Sequence, residues 1–317
     1  MSQENDGRTN EKMLNDISRL IESKNPKTKA EIEAIIGSIM KNGGKIPKQE
    51  STAVTAKEKA QDIINNAFEA STKNKQIKLA KEALEIYPDC VDAYLIIAEN
   101  ETDILGKTYP LLCKAVEAGR RDLGEKIFSE VKGHFWGYTK TRPFMRAMSD
   151  LSDCLVFMKK YDEAIAVAKE MLELNPGDNQ GMRYKLLTMY GLAKKYTEME
   201  NLLNQKEYKD DVFAGWAYGR VLISYIKNGD CKLTETAIKE AMKVNKYIPE
   251  YFAFYEDIPK QMPSSYSMGS REEAMIYVML NIGVWIQASQ ALKSLVSYAA
   301  KNLSKYADKP KFRGKIM

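Results

Sequence analysis

The sequence predicts an all-α protein in which helical hairpins stack into a right-handed superhelix. Three observations predict it. Apolar residues recur with a helical period over most of the 317 residues. The segment Leu151–Pro176 reads as two amphipathic helices joined by a turn at Lys159-Lys160. Its small residues Ala164 and Ala168 allow two helices to approach closely, and Pro176 ends the unit because proline cannot continue a helix. Finally, Tyr161 and Tyr196 occupy matching places 35 residues apart, near the period of about 34 expected of one class of stacked helical repeat. A single hairpin cannot bury its apolar face, so neighbouring copies must cover it.

Taken in order, residues 1–10 are polar and without period, and are expected to be disordered. Residues 11–55 are expected to form a helical hairpin and a linker. Met13, Leu14, Ile17, Leu20 and Ile21 mark the first helix, and Asn25-Pro26 ends it. Thr28 and Glu31 form a capping-box pattern opening the second, which carries Ile32, Ile35, Ile36 and Met40 and stops at Asn42-Gly43-Gly44.

Residues 56–300 are the expected solenoid. Ala60, Ile63, Ile64, Ala67 and Phe68 mark one helix, and Ile77–Ile86 the next. Ala93–Ala98 reads as the first helix of another unit, closed by Tyr109–Ala118 with Gly119 as the cap. An extra helix over Leu123–Val131 and an irregular segment over Gly133–Arg146 follow. After Leu151–Pro176 come a unit over Asp178–Leu203 and one containing Trp216, Tyr218, Val221, Leu222 and Tyr225, a turn at Asn228-Gly229-Asp230, then Ala237, Ala241 and Val244. Ile248–Gly269 is expected to be loop-rich. Ser270 and Glu273 form another capping box, opening a helix through Trp285. With a last helix over Ser289–Leu303 it forms a pair expected to seal the solenoid, since terminal repeats need a different outer face.

The strings KEALEIYPDCVDAYLIIAENET (81–102), GHFWGYTKTRPFMRA (133–147), LELNPGDNQGMRY (172–184) and GSREEAMIYVMLNIGVW (269–285) carry a resemblance. The chain resembles the tetratricopeptide-like family that includes the suppression-of-tumorigenicity protein and its uncharacterised bacterial relatives, over roughly residues 56–297. The resemblance implies a tetratricopeptide-like solenoid without an assigned enzymatic activity. The animal member is membrane-associated, a property this chain lacks the hydrophobic segment to share.

The formal net charge of +5 is concentrated at one end. The tail, residues 301–317, holds six basic residues against the single acid Asp308, which leaves the body formally neutral. Such a tail reads as a solvated end, and nucleic acid is not the expected partner. The alternative reading is a nucleic-acid-associated adaptor using this tail and the basic residues of the groove, and it predicts a steep loss of affinity with salt. Cys90, Cys113, Cys154 and Cys231 form no CxxC pair, which predicts free thiols in a reducing, cytoplasmic setting. The longest uncharged run, Ala274–Leu292, contains Asn281, Gln287, Ser289 and Gln290 and predicts a buried helix pair, not a membrane span.

No catalytic residues, metal ligands or cofactor are predicted. His134, the only histidine, lies beside Phe135, Trp136, Arg142 and Arg146 without a nucleophile or carboxylate motif, and is read as a packed or capping residue. Gly177–Gly181 lacks the Lys-Ser/Thr of a phosphate loop. The expected function is binding of a protein or peptide partner, acidic in character, in a groove lined by the first helix of each hairpin. Alignment of the units places Arg146, Lys185 and Arg220 at equivalent positions, with Arg183 beside them as a basic strip and Tyr184 as a contact residue. Asp150 and Asp153 stand where a chaperone-tail carboxylate clamp would need neutral or basic groups.

Overall fold

The computed structural model describes residues 2–43, 46, 55–101, 103–255, 258 and 261–302, and the side chains among these except those of 2–9 and 22. The described residues form fifteen α-helices and no strand. They fall into two compact units: one contains residues up to Met158 together with Glu170–Asn179, the other Lys159–Lys169 and everything from Gln180. The expected basic tail, apart from Lys301 and Asn302 at the end of the last helix, lies outside the described residues, as does most of the expected linker.

The first unit opens with a hairpin. Helix α1 (Ser2–Lys24) begins well before Glu11, the start marked by its apolar stripe. Asn25, with φ of 44°, and Pro26 follow it. Helix α2 (Lys29–Lys41) is capped by Thr28, whose hydroxyl accepts from the Glu31 amide at 3.3 Å. The Glu31 carboxylate accepts from Lys27 N at 2.6 Å, one residue earlier than a capping box requires. Leu20, Ile35 and Ile39 make a small core, flanked by Ile17, Ile21 and Ile46.

Helices α3 (Ala56–Phe68), α4 (Lys73–Ile86) and α5 (Val91–Glu99) share a separate core. Its centre is Ala60, Ala67, Ala80, Ala83 and Ala93, all fully buried, with Ile64 and Ile96 between them. Alanine at the crossings brings the backbones together and larger residues fill the flanks. A complete capping box starts α3, with Thr55 and Glu58 satisfying each other's amides.

After a π-helical turn (Ile104–Thr108), helix α6 (Tyr109–Glu130) runs straight through Gly119. Gly119 is therefore a contact point and not the expected cap. A Cβ there would stand 2.6 Å from the Phe144 ring. The helix breaks instead at Gly124, whose φ of 65° favours glycine. Two 3₁₀ turns, Phe135–Gly137 and Thr139–Thr141, lead into α7 (Arg142–Phe157). The expected irregular segment thus ends five residues early. Pro143 sits in the first turn, where its missing N–H costs nothing and its fixed φ suits a helix. The Phe128, Phe135 and Phe144 rings pack together, with the Arg120 guanidinium over two of them.

Helix α8 (Tyr161–Leu174) contributes its first half to the second unit and its last turn to the first. In the second unit, α9 (Met182–Leu192) and α10 (Tyr196–Leu203) form a hairpin, as do α11 (Ala214–Asn228) and α12 (Lys232–Val244). Lys159 and Lys194, each two residues before its tyrosine, adopt the same left-handed turn with φ of 59° and 56°. The 35-residue spacing of the two tyrosines thus recurs in these two turns. Helix α13 (Ile248–Ala253) lies inside the stretch expected to be loop, again with a proline in its first turn.

Helix α14 (Arg271–Gln287) packs on α9, α11 and α13, and is followed by α15 (Ser289–Asn302). Its approach to α9 is glycine-dependent: a Cβ on Gly191 would stand 2.6 Å from Val284, and one on Gly283 would stand 3.2 Å from Leu192. Trp285 is buried and donates to the Tyr277 hydroxyl at 2.9 Å. Among the described residues no helix is long and apolar enough to cross a membrane.

Candidate carboxylate-binding site

The residues expected to line a basic strip all engage groups of the chain itself. In the second unit, Arg183 donates through Nε to Asp211 Oδ2 at 3.0 Å and stacks over the Tyr184 ring at 4.2 Å. The Tyr184 hydroxyl donates to the same carboxylate oxygen at 2.7 Å. Burial, then this hydrogen bond to an anion, pushes the Tyr184 phenol well above its ordinary range. Arg220 donates to Leu203 O at 2.8 Å, Lys209 O at 3.1 Å and Asn204 Oδ1 at 3.1 Å. Arg183 and Tyr184 hold one end of the 204–213 loop and Arg220 the other. Lys185, on α9, is half-buried. Tyr184 also packs edge-on against Phe213 and the buried Trp216, and Tyr218 is buried with its hydroxyl donating to Asn245 O at 2.6 Å. These aromatics are packing residues.

Arg146 differs. It stands on α7 one turn after Arg142, so both guanidiniums lie on one helix stripe. Arg146 donates to both carboxylate oxygens of Glu11 on α1, each at 2.9 Å, and to Asp92 Oδ1 at 3.1 Å. Arg142 reaches Glu11 at 3.4 Å, donates to Trp136 O at 2.8 Å and lies over the Trp136 ring. The cluster is largely out of water: side-chain exposures are 17% for Arg146, 14% for Glu11 and 5% for Asp92. Burial alone would lower the Arg146 pKa. The carboxylates of Asp92 and Glu11 more than offset that and hold it above its ordinary value. Two guanidiniums thus face two carboxylates. The Arg146 Nε is buried without a hydrogen-bond partner.

A cleft of about 290 Å³ lies alongside, between α1, α3 and the starts of α5 and α7, with Asn15, Gln61, Tyr87, Asp89 and Thr139 on its walls. At one side Lys57 pairs with Asp122 at 2.6 Å and the Tyr87 hydroxyl donates to the same carboxylate. Burial and that hydrogen bond push the Tyr87 phenol up. Lysine and tyrosine here both engage one carboxylate, that of Asp122.

His134 is exposed at the start of a 3₁₀ turn, not packed, and its backbone carbonyl accepts from Gly137 N. Cys90 and Cys154 are buried, and Cys113 and Cys231 are half-buried, all four as free thiols. Glu11 is the residue of this cluster that sequence reasoning missed. Its signal is faint: an acid at the start of an amphipathic stripe whose other members, Asn15, Ser18 and Arg19, recur at helical spacing and face the same cleft.

No protein-family model matches the chain, and no curated protein matches it.

Proposed function

We propose that the protein is a non-enzymatic interaction module of tetratricopeptide-like hairpins, stacked as a right-handed superhelix, that binds a peptide or protein partner on the face lined by its first helices. One observation carries the reading: α5 packs beside α7 although α6 separates them in sequence, and α9 beside α11 across α10. Within each unit, first helices standing side by side make a lining, the arrangement by which helical repeats bind extended partners. The left-handed turns at Lys159 and Lys194 support the same period.

Binding falls to the first unit. Arg183, Tyr184 and Arg220 are tied to the 204–213 loop. Arg142 and Arg146 instead meet a carboxylate brought by a different helix, which is how an acidic partner would engage them. Arginines aimed at carboxylates and main-chain carbonyls favour this reading over nucleic acid. A protein of this kind works in the cytoplasm.

The test is site-specific photocrosslinking in extracts of the source cells. A benzophenone side chain at Asp153, exposed on α7, should capture a discrete partner. The same group at Lys126, exposed on the second helix α6, should not. Capture from Lys126 alone, or from neither position, contradicts the proposal.

A further inference from the structure

Helix α1 is the unusual part of the first unit. Its apolar residues do not join the body. Leu20 is buried with Ile35 and Ile39 of α2, while Met13 and Leu14 remain exposed. What holds α1 to the body is charge: Lys12 to Glu69 at 3.1 Å, Arg19 to Asp62 at 3.0 Å and to Glu58 at 3.7 Å, and Glu11 to Arg146 and Arg142. These partners lie on or just past α3 and on α7, so α1 crosses the first helices of two hairpins. The open cleft beneath it shows that the interface is not close-packed.

The charge balance shows what the body lacks without α1. Asp92 belongs to the body and pairs with Arg146. Glu11 comes from α1 and reaches both guanidiniums. With α1 lifted away, Arg142 and Arg146 face Asp92 alone, and the body presents one uncompensated positive charge at a largely buried place. Any carboxylate delivered there restores the balance.

We propose that Arg142 and Arg146 form a receptor for a carboxylate carried on a partner helix, and that the chain's own α1 is its resident, displaceable occupant. The partner is an acidic residue followed about two helical turns later by a basic one, since α1 presents Glu11 to α7 and Arg19 to α3 eight residues on. Covalent attachment gives α1 a high effective concentration, so a partner binds strongly only when the Glu11 contact is weakened. This inference rests on the proposed peptide-binding function and adds who occupies the site and what displaces it.

The experiment uses the full chain. A labelled synthetic peptide of residues 10–24, NEKMLNDISRLIESK, is titrated by fluorescence anisotropy at low salt into wild-type protein and into the Glu11→Gln variant. The variant should bind it at least about tenfold more tightly than wild type, as expected when a charge-assisted contact no longer competes. A peptide carrying Gln in place of the glutamate should bind the variant at least about tenfold more weakly. Hydrogen exchange on the same variant should show the α1 amides losing protection while those of α5 and α7 keep it. Equal binding by both proteins, binding to neither, indifference to the peptide's glutamate, or retained α1 protection each overturns the inference. Crosslinked partners at Asp153 together with such a result would leave the interaction function standing and remove only α1 as the occupant.

Discussion

Helices α1 and α14 do comparable things by opposite means. Each lies against first helices of its own unit, α1 across α3 and α7, α14 on α9 and α11. The α14 interface is built by removing side chains so that backbones meet. Gly191 and Gly283 let Val284 and Leu192 into close contact, and Trp285 and Tyr277 fill the space behind. The α1 interface is built from ion pairs over a partly open cleft. Close apolar packing is lost only when the surrounding structure opens, whereas charge contacts weaken with salt and exchange for equivalent charges. The two regions thus separate a permanent cover from a removable one.

The largest expected effect lies under α14. The Glu273 carboxylate is 5% exposed and accepts from Ala214 N, the Asn245 amide and Gly269 N. Glu273→Ala takes the acceptor from Ala214 N and Gly269 N and one of the two acceptors from the Asn245 amide, which keeps Ser270 O, and should cost about 3 kcal/mol in chemical denaturation. Next comes Gly191→Ala. Helix propensity alone would stabilise α9 by about 1 kcal/mol, and overpacking against Val284 costs about 1–3 kcal/mol. The contrast predicts a net loss of stability, and a gain would show that α14 can shift aside.

Glu11→Gln should lower global stability by about 1–2 kcal/mol while raising hydrogen exchange in α1, the loss being limited because the body keeps the Arg146–Asp92 pair. The smallest effect concerns Asp16, whose carboxyl is pushed up, first by burial and then by neighbouring Asp62, against the opposing pull of Arg19 and Lys12. A raised pKa in the docked state means that docking takes up a proton. Its stability is full below the ordinary carboxylate range and declines as pH rises to the raised value. Asp16→Asn should remove that decline and increase α1 protection at neutral pH by no more than about threefold, read by exchange at two pH values.

Much of the helical architecture was legible because the stacking of small residues repeats. Ala164 and Ala168 are both fully buried, and the Lys159 and Lys194 turns recur at the period of Tyr161 and Tyr196. Errors arose where one residue type serves two purposes. Glycine ends helices and also lets them touch, so Gly119 reads as a cap until Phe144 is seen against it. Proline breaks helices and also starts them, which hid the first turn of α7 and all of α13. The site was less legible. Spacing along α9 and α11 places Arg183 and Arg220 in sequence, but their fate is decided by Asp211 and by carbonyls of a loop with no period of its own. Arg146 was singled out by its spacing, while its partner Glu11 lies 135 residues away. Nothing local couples the two, because pairing across that distance is created by folding.

The central claim is that α1 is removable and α14 is not, and amide hydrogen exchange of the wild-type protein at low and high salt tests it most directly. Raising salt to about 1 M, where exposed charges are screened within about 3 Å, should strip protection from α1 and leave α14 exchanging only with the core of its unit. If α1 and α14 keep the same protection at both salt concentrations, or lose it together, the distinction between the two helices is wrong.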